Sequence, residues 1–279
     1  MGVVGFGSVR SCGVTTLTVA LAATWPAERR VLVVEADPAG GTLAGASGWP
    51  PEPSLVSLAA ASRRGGDPSR AWEHCQQLPG GGEVLPGPAS ADQAHDALAM
   101  LGGLLGAFGE LDADVLVDCG RLDSGSPVHG LWERADRAVL VARPRLADLQ
   151  AVATWLETHP FAGGRLGLVT VGEGPYPDAE ITEALGIEVL ARVPWDPVTA
   201  SGLMSVPASA RELRLAPLVR AARTFADHLA ADHAAMKPAA AQTPTAEGFV
   251  SVRARVWRAF RPDTATVSPN GTAPDQVSP

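Results

Sequence analysis

The residues of this chain that could bind a phosphate group lie within its first 21 residues, Met1 to Leu21. An apolar stretch, Val3–Phe6, leads through a loop into a helical pattern that opens on Gly13–Thr16. In such a layout the loop amides and the helix N-terminus point at anionic oxygens, and a threonine hydroxyl binds magnesium. The sequence therefore predicts a site for a magnesium-bound phosphate, with Thr15 as the hydroxyl.

The match to the phosphate-loop pattern G-x-x-x-x-G-K-[ST] is incomplete. Gly13 and Thr15 agree with it, whereas Ser8 stands at the first glycine. Val14 stands at the lysine, which in this pattern supplies a point charge against the β and γ phosphates. The only lysine of the chain is Lys237, far away in the C-terminal part. The loop therefore lacks the charge that holds the terminal phosphates.

Two acidic residues follow other apolar stretches. Asp37 comes after the strand pattern that begins at Arg29, and Asp118 ends the pattern that begins at Asp114. Strand patterns alternate with helical ones, which predicts an α/β fold with a doubly wound, mostly parallel sheet. Ligands bind at the carboxyl edge of such sheets, so Thr15, Asp37 and Asp118 are expected to converge there. Two alternatives stay open: the acids could cap the next helix, or the site could be vestigial.

Taken in order, these motifs resemble the ParA/MinD family of P-loop ATPases with a deviant Walker A loop. The stretch RRVLVVEADPAGG, Arg29 to Gly41, resembles the family's strand that ends in D-x-D-P-x-G, and DADVLVDCG, Asp112 to Gly120, resembles its Walker B strand. The stretch ADRAVLVARPRLADLQAV, residues 135–152, resembles the family's next strand and helix, and EVLARVPWDP, residues 188–197, resembles its late strand. The resemblance covers roughly Met1 to Asp232 and implies a P-loop NTPase domain over residues 1–232.

In that family the loop reads K-G-G-V-G-K-T-T, and its first lysine reaches across a nucleotide sandwich dimer. Here Val9 and Val14 stand at the two lysine positions, so both charges are absent. Arg10 and Ser11 replace the two glycines, and their Cβ atoms restrict positive φ. Arg10 could swing in as a substitute cation, although arginine and lysine are not interchangeable at a point-charge site. The resemblance implies that the nucleotide-binding residues are Ser8, Arg10, Ser11, Cys12, Gly13, Val14, Thr15 and Thr16.

The resemblance also implies the chemistry of the site. Thr15 corresponds to a magnesium ligand, Thr16 to an α-phosphate contact and Asp118 to the Walker B carboxylate. Glu35 and Asp37 correspond to an acidic pair that holds magnesium-bound water, with Asp37 as the catalytic residue that orients the attacking water. The implied metal ligands are thus Thr15, Glu35, Asp37 and Asp118, and the cofactors are ATP and Mg²⁺, or none if the site is vestigial. Loss of one preorganised charge costs about 10²- to 10³-fold in rate, so two lost lysines predict little or no hydrolysis.

Recognition of a nucleotide base is not supported by the sequence. The family often carries an asparagine after its late strand to bind adenine, whereas here Thr170–Pro175 follows that strand. Trp195, beside Asp196, could stack on a base, but a tryptophan in such a turn more often packs against the sheet edge.

Composition limits the possible partners and location. The 279 residues carry a net charge of −8, which does not favour general binding to nucleic acid. The three cysteines, odd in number and without metal-ligand spacing, indicate a reducing compartment. The sequence contains no run of 18 apolar residues and no charged segment before the first strand. We therefore expect a cytoplasmic protein.

The C-terminal part has a different pattern. Residues 233–248 are poor in core formers and predict a flexible linker, and residues 262–279 predict a disordered tail. Between them, residues 249–261 form a basic amphipathic segment that suits an anionic membrane surface or a partner groove. A helix that docks on its own domain, or plain disorder, are the alternatives. The residues predicted to make the contact are Phe249, Val252, Val256, Trp257 and Phe260.

Three functional hypotheses follow. The first is a ParA/MinD-like protein that hydrolyses ATP weakly or not at all and positions or regulates a division, partition, pilus or secretion assembly. Its partner would be another protein or a second copy, and its tail could bring it to the inner face of the membrane. The second is an active partition or cell-division ATPase that uses Arg10 in place of the lysine. The third, a metabolic enzyme of the P-loop class such as an amide-forming ligase, has no substrate-site residues to support it.

Overall fold

A single eight-stranded sheet forms the centre of the computed structural model, which describes residues 2–63, 66–78, 81–123, 125–159, 161, 165–205, 215–235 and 252–260. The strands are β1 (Val3–Ser8), β2 (Val31–Glu35), β3 (Gln76–Gln77), β4 (Glu83–Leu85), β5 (Asp114–Arg121), β6 (Arg137–Ala142), β7 (Arg165–Val171) and β8 (Glu188–Val193). Their order is β3-β4-β2-β5-β1-β6-β7-β8, and only the β3–β4 pair is antiparallel. The predicted doubly wound, mostly parallel sheet is confirmed.

The helices cover both faces of this sheet. They are α1 (Val14–Ala22), α2 (Leu43–Ser47), α3 (Leu55–Ser62), α4 (Ala91–Gly106), α5 (His129–Arg134), α6 (Leu146–Thr158), α7 (Asp178–Leu185), α8 (Pro197–Met204), α9 (Pro217–Ala235) and α10 (Val252–Ala259). One apolar cluster packs α1 and α9 on the first face, where Leu17 and Phe225 are buried. A second cluster packs α3 to α7 and α10 on the other face, where Leu101 and Trp132 are buried.

The two central strands place the N-terminal loop. β1 lies between β5 and β6, and all six of its residues are buried, as expected for a parallel strand covered on both faces. Phe6 lies opposite Asp118 and, after a register shift, Ser8 lies opposite Arg121. The loop that leaves β1 therefore begins beside the carboxyl end of β5.

Helix α2 lies in a segment, Gly40–Pro53, whose Gly and Pro content predicts a surface connection. The helix has only five residues, too few to be stable from local propensity alone. Its first backbone N–H groups donate to the carboxylate of Glu35, and Leu43 is fully buried. Tertiary contacts that the local pattern does not contain therefore form this helix.

The basic amphipathic segment docks on its own domain. α10 packs against α6 and α7, and Val256 and Phe260 are 0% and 2% exposed. The Phe260 ring lies 4.0 Å from the Tyr176 ring, centroid to centroid, and Val252 is partly buried in the same cluster. Val256 and Phe260 are thus not on an exposed membrane- or partner-binding face, because the groove beside α6 and α7 already covers them. The alternative of a docked helix is the one that the structure shows.

The predicted C-terminal boundaries stay predictions. α9 continues to Ala235, three residues beyond the predicted end of the domain at Asp232. Most of the predicted linker, the predicted tail, Phe249 and the side chain of Trp257 lie outside the described residues. Within the described ranges, no helix is both long enough and apolar enough to cross a membrane.

Candidate functional site

The loop between β1 and α1 forms one wall of a cavity at the carboxyl edge of the sheet. Gly13 precedes α1 with a φ of 93°, a left-handed conformation that glycine adopts without a steric penalty. No side chain caps this end of α1, so its first amides are not engaged by a cap. Free amides at a helix N-terminus bind anions well.

The cavity has a volume of about 440 Å³. Its walls come from the β1–α1 loop, the end of β2, the start of α4 and the segment that follows β5. Most of the predicted nucleotide-binding residues meet here: Ser8, Ser11, Cys12, Gly13, Val14 and Thr15 line the cavity together with Asp37.

Asp118 lies under this cavity with one oxygen unsatisfied. It is fully buried, and its Oδ1 accepts a hydrogen bond of 2.9 Å from the amide of Gly120. Oδ2 has no hydrogen-bond partner among the described residues, although the Thr15 hydroxyl is near enough to lower the pKa of Asp118. Burial dominates and raises that pKa to about 7. A buried carboxylate oxygen without a partner costs free energy, which a cation or a bound water would recover.

Asp37 reaches the cavity through a close approach to the end of β5. A Cβ on Gly120, whose φ is 58°, would clash with the Asp37 carboxyl group. Asp37 Oδ1 accepts a hydrogen bond from the amide of Ala39. Burial raises the pKa of Asp37, and the positive charge of Arg121 acts in the opposite direction. Asp37 and Asp118 thus lie against the same strand end, as the sequence predicts.

Glu35, unlike Asp37, is not among the described residues that line the cavity. Its Oε1 accepts hydrogen bonds of 2.6 and 3.0 Å from the amides of Thr42 and Leu43, and its Oε2 accepts one of 2.9 Å from the amide of Gly87. The side chain is 1% exposed. Burial raises its pKa, and the three amide bonds oppose that shift. These bonds tie the start of α2 to the end of β4, and the role of Glu35 as a metal ligand stays a prediction.

The positions of the two missing lysines hold no cation. Val14 is 5% exposed and packs with Leu17 in the core on the α1 face. Arg10, the predicted substitute, points elsewhere: its guanidinium is exposed and lies 3.9 Å from Asp148 on α6. It is not among the described residues that line the cavity. The proposed replacement of the lysine by Arg10 is therefore not supported by the geometry.

Solved structures with this architecture identify the fold. MinD from Pyrococcus horikoshii, solved with Mg-ADP, matches 85% of this chain and 99% of its own with a TM-score of 0.66 and 20% identity. The cell division ATPase MinD from Pyrococcus furiosus matches 83% and 99%, with a TM-score of 0.65 and 21% identity. A ParA family ATPase from Chlorobium tepidum matches 82% and 98%, with a TM-score of 0.64 and 20% identity. The chain has the ParA/MinD fold.

Sequence comparisons add nothing to this result. No protein-family model matches the chain, and no curated protein is similar to it. At about 20% identity the structural likeness establishes the fold, and the chemistry has to be argued from the residues of the site.

A positively charged side chain outside the sequence motifs lies in the cavity at the carboxyl edge of this ParA/MinD fold. Arg121 ends β5, directly after the Asp118–Gly120 stretch that resembles Walker B, and it lines the cavity. Its guanidinium donates a hydrogen bond of 2.9 Å to the Ser11 hydroxyl. His95, on α4, lines the same cavity and has no sequence signal that would have marked it. The signal for Arg121 was its place next to the acidic motif.

A second cavity, of about 500 Å³, adjoins the first at Cys12 and Gly13. Its lining is mainly apolar and includes Leu17, Met204 and Trp195, and Thr16 lies here rather than in the first cavity. Trp195 is 55% exposed, and the Arg143 guanidinium lies 4.4 Å from its ring centroid. Trp195 is therefore partly exposed at the rim of this cavity, with Arg143 over its ring.

Proposed function

We propose that this chain is a ParA/MinD-like protein that binds a magnesium-bound nucleoside polyphosphate weakly and hydrolyses it slowly or not at all. The observation that carries the proposal is Val14. Its side chain belongs to the hydrophobic core at the position where the resemblance implies a lysine. Phosphoryl transfer depends on neutralising charge around the terminal phosphate, and a core valine cannot do this.

The rest of the site still fits a nucleotide. Among the described residues, no three His, Cys, Asp or Glu side chains surround a common point. Mg²⁺ does not require such a cluster, because it is usually held by one or two carboxylates together with phosphate oxygens and water. Asp118, with its unsatisfied oxygen, and Thr15 would hold the ion, and Asp37 would hold its water. The ion would neutralise phosphate charge.

A nucleotide would then span the two adjoining cavities. Its phosphates would lie against the amides after Gly13, and its base would stack on Trp195 in the apolar cavity. We propose that the bound state serves as a signal for an assembly that the protein positions or regulates, through a protein partner or a second copy. MinD, described as a septum site-determining protein, and the ParA family ATPase support this role by fold analogy only.

Calorimetry and a turnover assay test this proposal. The full chain is titrated with Mg-ADP and Mg-ATP up to millimolar concentration, and we expect a weak site that requires Mg²⁺. Val14→Lys tests the cause: the lysine should tighten Mg-ATP more than Mg-ADP, because it adds charge near the terminal phosphates. The active-ATPase alternative would replace the proposal if the wild-type chain turned over ATP steadily and Asp37→Asn abolished that turnover. No binding by the wild-type chain would reject both.

A further inference from the structure

Arg121 is the only arginine or lysine among the described residues that line the first cavity, the one beside Gly13 and Asp37. The chain around it is held on both sides. Gly120 turns with a φ of 58°, and the amide of Leu122 donates to the carbonyl of Ser8 at 2.9 Å. The hydrogen bond to Ser11 then directs the guanidinium over the loop between β1 and α1. A long, exposed side chain is thus oriented toward the place where a phosphate would bind.

The charges around Arg121 leave it available for an anion. Asp37, Asp123 and His95 line the same cavity, and Arg121 lowers the pKa of Asp37 through space. No ion pair between Arg121 and an acid lies within 4.0 Å in the described residues, and its hydrogen bond there goes to the neutral Ser11 hydroxyl. An arginine fork can bind two phosphate oxygens at once.

We infer that Arg121 takes over the phosphate-binding role of the missing lysine, from the β5 wall of the cavity instead of from the loop. This inference rests on the proposed nucleotide site and names the residue that holds its terminal phosphates. From this wall the guanidinium can bind the phosphates of a nucleotide in the cavity. It does not restore the geometry of the P-loop lysine, in agreement with weak or absent hydrolysis.

The direct test compares two arginines in the full chain. Isothermal titration with pyrophosphate measures phosphate binding alone, and titration with adenosine measures the base cavity alone. Arg121→Ala should weaken pyrophosphate binding by about 10- to 100-fold, the range expected for hydrogen bonds to a charged group. Arg121→Lys should recover part of that loss. Arg10→Ala removes an equal charge that points to Asp148, and it should change pyrophosphate binding by less than about twofold.

A second pair of variants tests whether Arg121 only neutralises the charge of Asp37. If Arg121 only neutralised Asp37, Arg121→Ala would cost nothing in an Asp37→Asn background. If it binds phosphate, the loss persists in that background. Adenosine binding and the unfolding temperature without ligand should be the same in all these variants, which shows that the fold is intact.

The outcomes distinguish this inference from the proposed function. If the wild-type chain binds pyrophosphate and Arg121→Ala binds it as well as Arg10→Ala does, the inference fails and the nucleotide site stands. If the loss disappears in the Asp37→Asn background, the inference also fails. If the wild-type chain binds neither pyrophosphate nor ADP at millimolar concentration, both fall together.

Discussion

Two aspartates lie at opposite ends of β5, and they differ in the hydrogen bonds that their carboxylates accept. Asp114 and Asp118 are both fully buried. Asp114, at the start of the strand, accepts hydrogen bonds from Arg29, from the Trp25 indole at 3.0 Å and from the amide of Gly2 at 3.2 Å. Asp118, at the end of the strand, has one amide donor, and its other oxygen has no hydrogen-bond partner among the described residues.

This difference shows that burial alone does not assign a role to a charged residue. A buried acid whose oxygens are all engaged stabilises the fold, whereas one left unsatisfied favours the binding of something else. Arg137 and Asp232 pair at the same end of the sheet as Asp114, so that end is held by ion pairs. The carboxyl end instead holds Asp37 and Asp118 beside a cavity, and one oxygen of Asp118 has no hydrogen-bond partner among the described residues.

The largest expected effect is on Asp114. Asp114→Asn leaves Arg29 without its carboxylate and turns an amide NH₂ toward existing donors, so the free energy of unfolding should fall by about 3 kcal/mol. Urea unfolding followed by tryptophan fluorescence measures it. Asp112→Asn is the matched control, because Asp112 lies just before β5 and is exposed. It should change stability by less than about 0.5 kcal/mol. Equal effects of the two variants would show that the hydrogen bonds of Asp114 do not stabilise the fold.

Glu35 separates position from bonding, because it lies at the carboxyl end of the sheet but both of its oxygens accept hydrogen bonds, as those of Asp114 do. Glu35→Gln keeps one accepting oxygen for Thr42 and Leu43 but turns an NH₂ toward the amide of Gly87. We expect a loss of about 2 kcal/mol in the free energy of unfolding. Asp37→Asn, two residues on, keeps its bond from Ala39 and should be nearly neutral. If both variants lost stability equally, position along the sheet rather than bonding would decide the role.

Much of the fold could be predicted from the sequence because its strongest signals are local. β1 and the Val115–Val117 stretch of β5 are apolar, and α7 is followed by Gly186, whose φ of 72° is the expected left-handed C-cap. The docking of α10 could not be chosen from its pattern. An apolar face with Val256 and Phe260 suits a membrane, a partner or the chain's own surface equally well. Only the presence of α6 and α7 beside it decides.

The candidate site could be predicted in part, for a related reason. Thr15 and Asp37 follow apolar stretches in motif order, and the sheet topology brings them together. The role of Glu35 depends on amides at Leu43 and Gly87, which are distant in sequence and belong to no motif. Arg121 belongs to no motif, because the motif places its cation in the loop, whereas the fold brings an arginine from a neighbouring strand.

Replacement of Asp118 is expected to cause no loss of stability, and it tests the comparison of the two aspartates most directly. Asp118→Asn keeps an acceptor for the Gly120 amide and removes a charge that burial disfavours, as the pKa of about 7 indicates. In EDTA at pH 7, the free energy of unfolding should stay the same or rise by up to about 1 kcal/mol. With Mg-ADP, the wild-type chain should gain thermal stability and the variant should not, because the metal has lost its carboxylate. A loss of stability as large as that of Asp114→Asn would contradict this assignment. The two aspartates would then be equivalent structural residues, and the unsatisfied oxygen of Asp118 would no longer indicate a metal site.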